Sequence, residues 1–166
     1  MTNINTLLKK MITYYEGDPK RIQHFLKVYE FARLIGECEQ LDENTQFTLE
    51  TAAIVHDIGI KAAEMKYNSS NGKLQEQEGP SIARELLLAL EYRADTVDRV
   101  CYLVGHHHTY TDISGMDYQI LVEADFLVNL YEDHLSQEAI TAAFKKIFVT
   151  NTGKELCRTI FALPQD

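Results

Sequence analysis

The sequence predicts an all-α protein, one compact helical domain of about six to eight helices with little or no sheet. Three observations carry this expectation. Apolar residues recur at steps of three and four, as in Ile22, Phe25, Leu26, Tyr29 and Ala32. Helix-start and helix-stop signals punctuate the chain at short intervals. Few segments alternate with the two-residue period of a strand.

The elements follow in order. The first fifteen residues are polar and then amphipathic, which suits a helix packed on the domain. Asp18-Pro19 reads as an N-cap followed by proline in the first turn, opening a helix to about Glu37. A turn near Leu41-Asp42 opens the next, which ends at His56-Asp57-Ile58-Gly59. Residues 68–72 form a polar loop. Gly79-Pro80-Ser81 is expected to start a helix running through Leu90, and Asp95 to cap the one after it. That helix leads to the run His106-His107-His108. Residues 109–115 are a loop, Asp117 to Glu132 a helix, and Ser136 begins a last long helix.

Composition narrows the function classes. The chain has 166 residues, 45% of them apolar, enough for one sizeable core, so a single domain is expected over 1–166. A formal net charge of -9 opposes general nucleic-acid binding, because an acidic surface repels phosphate backbones. It leaves room for a small phosphorylated substrate, since a metal and a few basic side chains reverse the sign locally. No apolar run is long enough to cross a bilayer, and no signal peptide is recognisable, so a cytoplasmic protein without a membrane partner is expected. The three cysteines are widely spaced and suggest neither a disulfide framework nor a thiolate zinc site. A homodimer is among the expected assemblies.

Four residues carry the chemistry. His56-Asp57 closes a helix so apolar that it should be buried. A buried carboxylate needs a cation or several donors. His24 heads the stripe Val28, Phe31, Ile35, and Asp125 lies among Tyr118, Leu121, Val122 and Val128 on an inward helix face. Each alone has a structural alternative: a capping Asp57, core histidines, Asp125 as an inter-helix acceptor. Together they offer two imidazoles and two carboxylates from three apolar helices, and one divalent metal would satisfy all four. The demand is geometric, because neighbours such as His56 and Asp57 do not normally face each other on a helix.

This order of residues, His24, then His56-Asp57, then Asp125, resembles the H…HD…D signature of the HD superfamily of metal-dependent phosphohydrolases. Arg21-x-x-His24-x-x-x-Val28, Ala52-Ala53-Ile54-Val55-His56-Asp57-Ile58-Gly59, Glu78-Gly79-Pro80 with Ile82-Ala83, and Leu121-Val122-Glu123-Ala124-Asp125 are similar to the family's successive segments. The likeness covers about residues 20–133, which defines the expected core of the domain. It implies an HD-type helical fold and metal-assisted hydrolysis of phosphate esters.

The resulting expectations are specific. His24, His56, Asp57 and Asp125 hold one divalent transition metal, Mn, Fe, Ni or Co, with Zn or Mg as further options. An ion of six coordination positions keeps two of them open beyond these four ligands. Asp57, His106 and His107 are the catalytic candidates, with His106 and His107 favoured over His108. Arg21, Lys61, His106 and His107 are candidates for holding the substrate's phosphate. In Lys61 the basic residue stands one position later than in some relatives, which have H-D-I-G-K. Two-metal relatives add a histidine where Gln75 stands here. Gln75 is a poor ligand, so one metal is expected, with Glu78 the residue that could hold a second. The expected activity is hydrolysis of a small phosphomonoester, a nucleotide or related metabolite. The alternative is a metal- or nucleotide-binding regulatory module without turnover.

Overall fold

The computed structural model describes residues 3–165; residues 1, 2 and 166 of the expected domain lie outside the described part. Among the described residues the chain is all helical: α1 (Ile4–Tyr14), α2 (Pro19–Cys38), α3 (Glu43–Val55), α4 (Ile60–Tyr67), α5 (Gly72–Ala89), α6 (Ala94–Val104), α7 (Met116–Glu132), α8 (Gln137–Ile147) and α9 (Asn151–Phe161). That is one more helix than the expected upper count.

Local sequence explains most of the starts. Asn3, Asp18, Asp42, Asn71, Ser136 and Thr150 each accept a backbone N–H of the helix they precede, satisfying donors that the first turn leaves open. Pro19 occupies the first turn of α2, where its missing N–H costs nothing.

Three boundaries differ from expectation. α5 begins at Gly72 and carries Pro80 inside it. Asn71 caps a good helix-forming run, Lys73-Leu74-Gln75-Glu76, so the helix is under way before the proline. The Pro80 carbonyl still accepts from the Cys101 thiol on α6 at 3.3 Å. Asp95 is not the cap of α6. Arg93 holds that position without a side-chain bond, and Asp95 sits in the first turn, where its charge favours the helix dipole. The expected last long helix is two, α8 and α9. Phe148 is extended, and the Glu123 carboxylate, fully buried, accepts from Thr150 N at 2.9 Å and Thr150 Oγ1 at 2.7 Å.

The core centres on α7, buried almost continuously from Asp117 to Leu130, with α2 and α3 against it and α6 closing the far side of α3. One connected apolar cluster runs from Leu7 and Met11 of α1 through Val28, Ile54 and Leu121 to Cys157 of α9. No helix among the described residues is long and apolar enough to cross a membrane. The second turn of α2, the end of α3 and the middle of α7 meet at one point.

Candidate metal centre

The end of α3 resolves the problem of adjacent ligands. After Val55 the chain tightens into i-to-i+3 bonds, Ile58 N to Val55 O at 2.9 Å and Ile60 N to Asp57 O at 3.0 Å. Such a tightened turn takes the side chains off the 100° helical step. His56 Nε2 and Asp57 Oδ2 then stand 3.3 Å apart. The turn is pinned from α1: Tyr15 donates to the Asp57 carbonyl at 2.7 Å and Tyr14 to the Ile58 carbonyl at 3.1 Å. Gly59 lies flat against α5, where a Cβ would come within 2.5 Å of the Gln75 carbonyl oxygen. A side chain there would push α5 away from the turn.

All four expected ligands converge. His24 Nε2 lies 3.2 Å from His56 Nε2, from Asp57 Oδ2 and from Asp125 Oδ1. His56 Nε2 lies 3.5 Å from Asp125 Oδ1. His56 is fully buried, Asp125 is 2% exposed and His24 8%. Asn129, one turn after Asp125, donates to Asp125 Oδ1 at 3.0 Å.

The tautomers follow from what the other ring nitrogens do. His56 Nδ1 donates to the Ala53 carbonyl at 2.7 Å. His24 Nδ1 faces both oxygens of Glu132 at 3.3 Å. In the neutral rings both Nε2 atoms therefore present lone pairs, to each other and to two carboxylates. Without a cation the arrangement is repulsive, and only protons could relieve it. Burial alone would lower the pKa of His24, but hydrogen bonding to Asp125 and Asp57 outweighs it and raises it to about 10. Burial likewise opposes charge on His56, yet Asp57 and Asp125 hold its pKa well above the ordinary value. Burial would raise both carboxylates; the imidazoles overcome it and hold Asp57 and Asp125 low.

This donor set fits a divalent metal. Metal–nitrogen and metal–oxygen bonds of about 2.1 Å put neighbouring ligand atoms about 3.0–3.4 Å apart; His24, His56 and Asp57 stand together at 3.2–3.3 Å, and Asp125 joins them through the two imidazoles at 3.2 and 3.5 Å. Each histidine has its outer nitrogen bonded, as ligating histidines almost always do.

The residues around the centre divide. His107 is fully buried, with Nδ1 donating to the Val104 carbonyl at 2.8 Å and Nε2 facing Asp57 Oδ1 at 3.3 Å. It lies beside Asp57, but being fully buried it does not line the cavity as a substrate-binding residue would. His106 departs from expectation. It stacks on Tyr102 with centroids 4.0 Å apart and donates through Nδ1 to the Tyr102 carbonyl, because the chain turns between 106 and 107 and carries the two rings apart. His108, set second to both, faces the cavity. Gln75 Nε2 donates to the Ser70 carbonyl at 2.6 Å, so Gln75 Oε1 accepts from His108 Nε2 at 2.9 Å. Burial, then the neighbouring His107, lowers the His108 pKa to about 4.

Asp57, His107 and His108 bring ligand atoms close enough for a second ion. Gln75 Oε1, however, accepts from His108 Nε2–H, so that nitrogen carries its proton and offers no lone pair to an ion. Glu78, the expected second-metal candidate, is taken up elsewhere, by Lys66 at 2.6 Å and Tyr67 at 3.0 Å. Lys61 also departs from expectation. Its ammonium donates to the Tyr14 carbonyl at 3.1 Å and lies over the Tyr14 ring, so it anchors α1. Arg21 does line the cavity, a space of about 490 Å³ that His24, Asp57 and Asp125 also line. Its guanidinium is held by both oxygens of Glu64 and by Asp18.

The expectation missed Glu132 and Asn129. Their signal was present: Asp125, Asn129 and Glu132 fall at steps of four and three on one helix face.

Comparison with known proteins bears on the family and the fold. A family model described as HD domain matches residues 21–144, well over half of the chain. The chain belongs to the HD-domain family. Among solved structures, this HD-domain protein is similar to a predicted HD superfamily hydrolase from an uncultured Thermotogales bacterium, at 22% identity and a TM-score of 0.69, over 95% of this chain and 84% of that one. A search of curated proteins found no match.

Proposed function

We propose that this HD-domain protein is a metal-dependent phosphohydrolase acting on a small phosphomonoester, a nucleotide or related metabolite. The observation that carries the reading is the convergence of two imidazole lone pairs and two carboxylates beneath an open polar cavity. His24, His56, Asp57 and Asp125 would hold one divalent ion, with Mn, Fe, Ni or Co favoured by the mixed nitrogen and oxygen donors and Zn or Mg as further options. When bound, the ion supplies Lewis acidity toward a phosphoryl oxygen.

The chain's own residues account for the proton and the orientation. Water attacks phosphorus, the ester P–O bond breaks, and the products are an alcohol and inorganic phosphate. Asp57 lines the cavity and would take the proton of the attacking water, with the enclosed His107 Nε2 behind its Oδ1 at 3.3 Å to receive it. His108 is neutral at physiological pH and presents a polar edge to the cavity. Arg21 stands at the rim, where a phosphate would compete with Glu64 for its guanidinium.

A screen of purified protein against nucleotides, sugar phosphates and phosphodiesters, with several divalent metals, tests the reading. Metal-dependent release of phosphate from a monoester supports it. Metal binding with no turnover on any substrate would favour the second reading, a regulatory module. The pairing of Arg21 with Glu64 and Asp18 speaks for that alternative, since this cation is already engaged.

A further inference from the structure

We infer that Glu132 is a positioning residue for the metal centre, gripping His24 from the side opposite the ligands; this rests on the metal reading above. The ring of His24 is held at both nitrogens by one helix. Asp125 Oδ1 meets Nε2 at 3.2 Å, and seven residues on, the Glu132 carboxylate meets Nδ1 at 3.3 Å. Residues seven apart on a helix share a face two turns apart, so α7 forms a clamp whose jaws are Asp125 and Glu132. The carboxylate is itself held. Lys27, one turn after His24 on α2, pairs with Glu132 Oε1 at 2.9 Å.

The placement of Glu132 argues for a role toward His24. It is the last residue of α7, where the helix dipole is negative and a carboxylate is disfavoured. The fold gains little from an acid there, and an exposed lysine partner adds little stability. For His24 the gain is definite. A bond from Nδ1–H to Glu132 fixes the tautomer that leaves Nε2 as the metal-facing lone pair, fixes the ring plane, and raises the basicity of the ligand. His56 and His107 use backbone carbonyls for the same purpose. His24 lies in mid-helix, where the carbonyl one turn back is already bonded within α2, so a side chain must serve.

The test is Mn²⁺ affinity, measured by titration calorimetry on metal-stripped full-length protein. Wild type that binds no Mn²⁺, Co²⁺ or Zn²⁺ would remove the metal reading and this inference with it. If wild type binds, Glu132→Leu is expected to weaken Mn²⁺ binding about 10- to 100-fold, the range for loss of such outer partners. Glu132→Gln keeps an oxygen that accepts the Nδ1 proton and is expected to stay within about threefold of wild type, on the same principle. Should Glu132→Leu fail to fold, Lys27→Met frees the carboxylate without removing it and is expected to weaken binding by a smaller factor. Wild-type affinity in Glu132→Leu, or in Lys27→Met if the leucine variant does not fold, would overturn the inference. So would equal losses in Glu132→Leu and Glu132→Gln, which would assign the effect to charge alone.

Discussion

The Nε2 atoms of His24 and His56 face each other 3.2 Å apart, with their outer nitrogens already bonded, one to Glu132 and one to the Ala53 carbonyl. Two lone pairs so close, flanked by Asp57 and Asp125, are stable only around a proton or a cation. The same burial that makes the centre costly when empty makes it strong when filled, because a low dielectric amplifies every interaction.

Loss of Asp57 is therefore expected to strip the metal. Asp57→Ala should emerge with little bound ion by elemental analysis. Its melting temperature should fall by several degrees relative to the loaded wild type, since binding to the folded state alone stabilises it. Equal, full metal content in both proteins would contradict the assigned ligands.

His106 and His107 are expected to behave oppositely. His107→Gln should reduce turnover about 100- to 10,000-fold, the range for a lost acid–base group, with the metal retained. His106→Ala, which removes a ring stacked on Tyr102, should leave turnover within about twofold, as for a surface change outside the site. The reverse ranking would exchange their roles.

Metal titration of stripped protein is expected to saturate near one ion per chain. Gln75 holds the proton-bearing face of His108 and supplies no imidazole of its own. Gln75→His does both jobs differently: it adds a nitrogen ligand and releases His108. A second binding event should then appear. Two ions of comparable affinity in wild type would refute the single-metal expectation.

Acid should weaken the metal-free protein partly through His108. Its pKa falls on folding, from the ordinary 6.5 to about 4. The unfolded chain therefore binds a proton in this window that the folded one does not. The stability from keeping His108 neutral is complete above pH 6.5 and is lost as pH falls toward 4, by at most about 1.4 kcal/mol per pH unit. Chemical denaturation at several pH values should show a shallower acid slope for His108→Gln than for wild type. Parallel slopes would exclude the effect.

Glu123 provides a contrast far from chemistry. Glu123→Ala should destabilise the fold by about 2–4 kcal/mol, because it strands the buried Thr150 hydroxyl and backbone donors at the α8–α9 break. Metal bound per folded chain should be unchanged. A neutral effect on denaturant midpoint would show that the break is held by Thr150 alone.

Much of this protein was legible in its sequence, for identifiable reasons. Helical spacing of apolar residues is a local property, so the all-helical fold could be read directly, and Asp18 announced its helix by capping chemistry. The convergence of His24, His56, Asp57 and Asp125 could be read because buried carboxylates and histidines are too costly to stand on apolar faces without a common partner. Other features depend on what lies across the gap between elements. Pro80 reads as a helix start until Asn71 is seen capping the helix upstream. Nothing local separates His106, stacked outward on Tyr102, from His107, buried against Asp57; one residue's rotation of the turn decides it. Lys61 and Glu78 carry the right charges for the site, but Tyr14 and Lys66 reach them first. Sequence alone determined which groups had to meet, since burial energetics act residue by residue. Tertiary structure decided which neighbours they met, because a side chain's direction is set by the packing of helices distant in the chain.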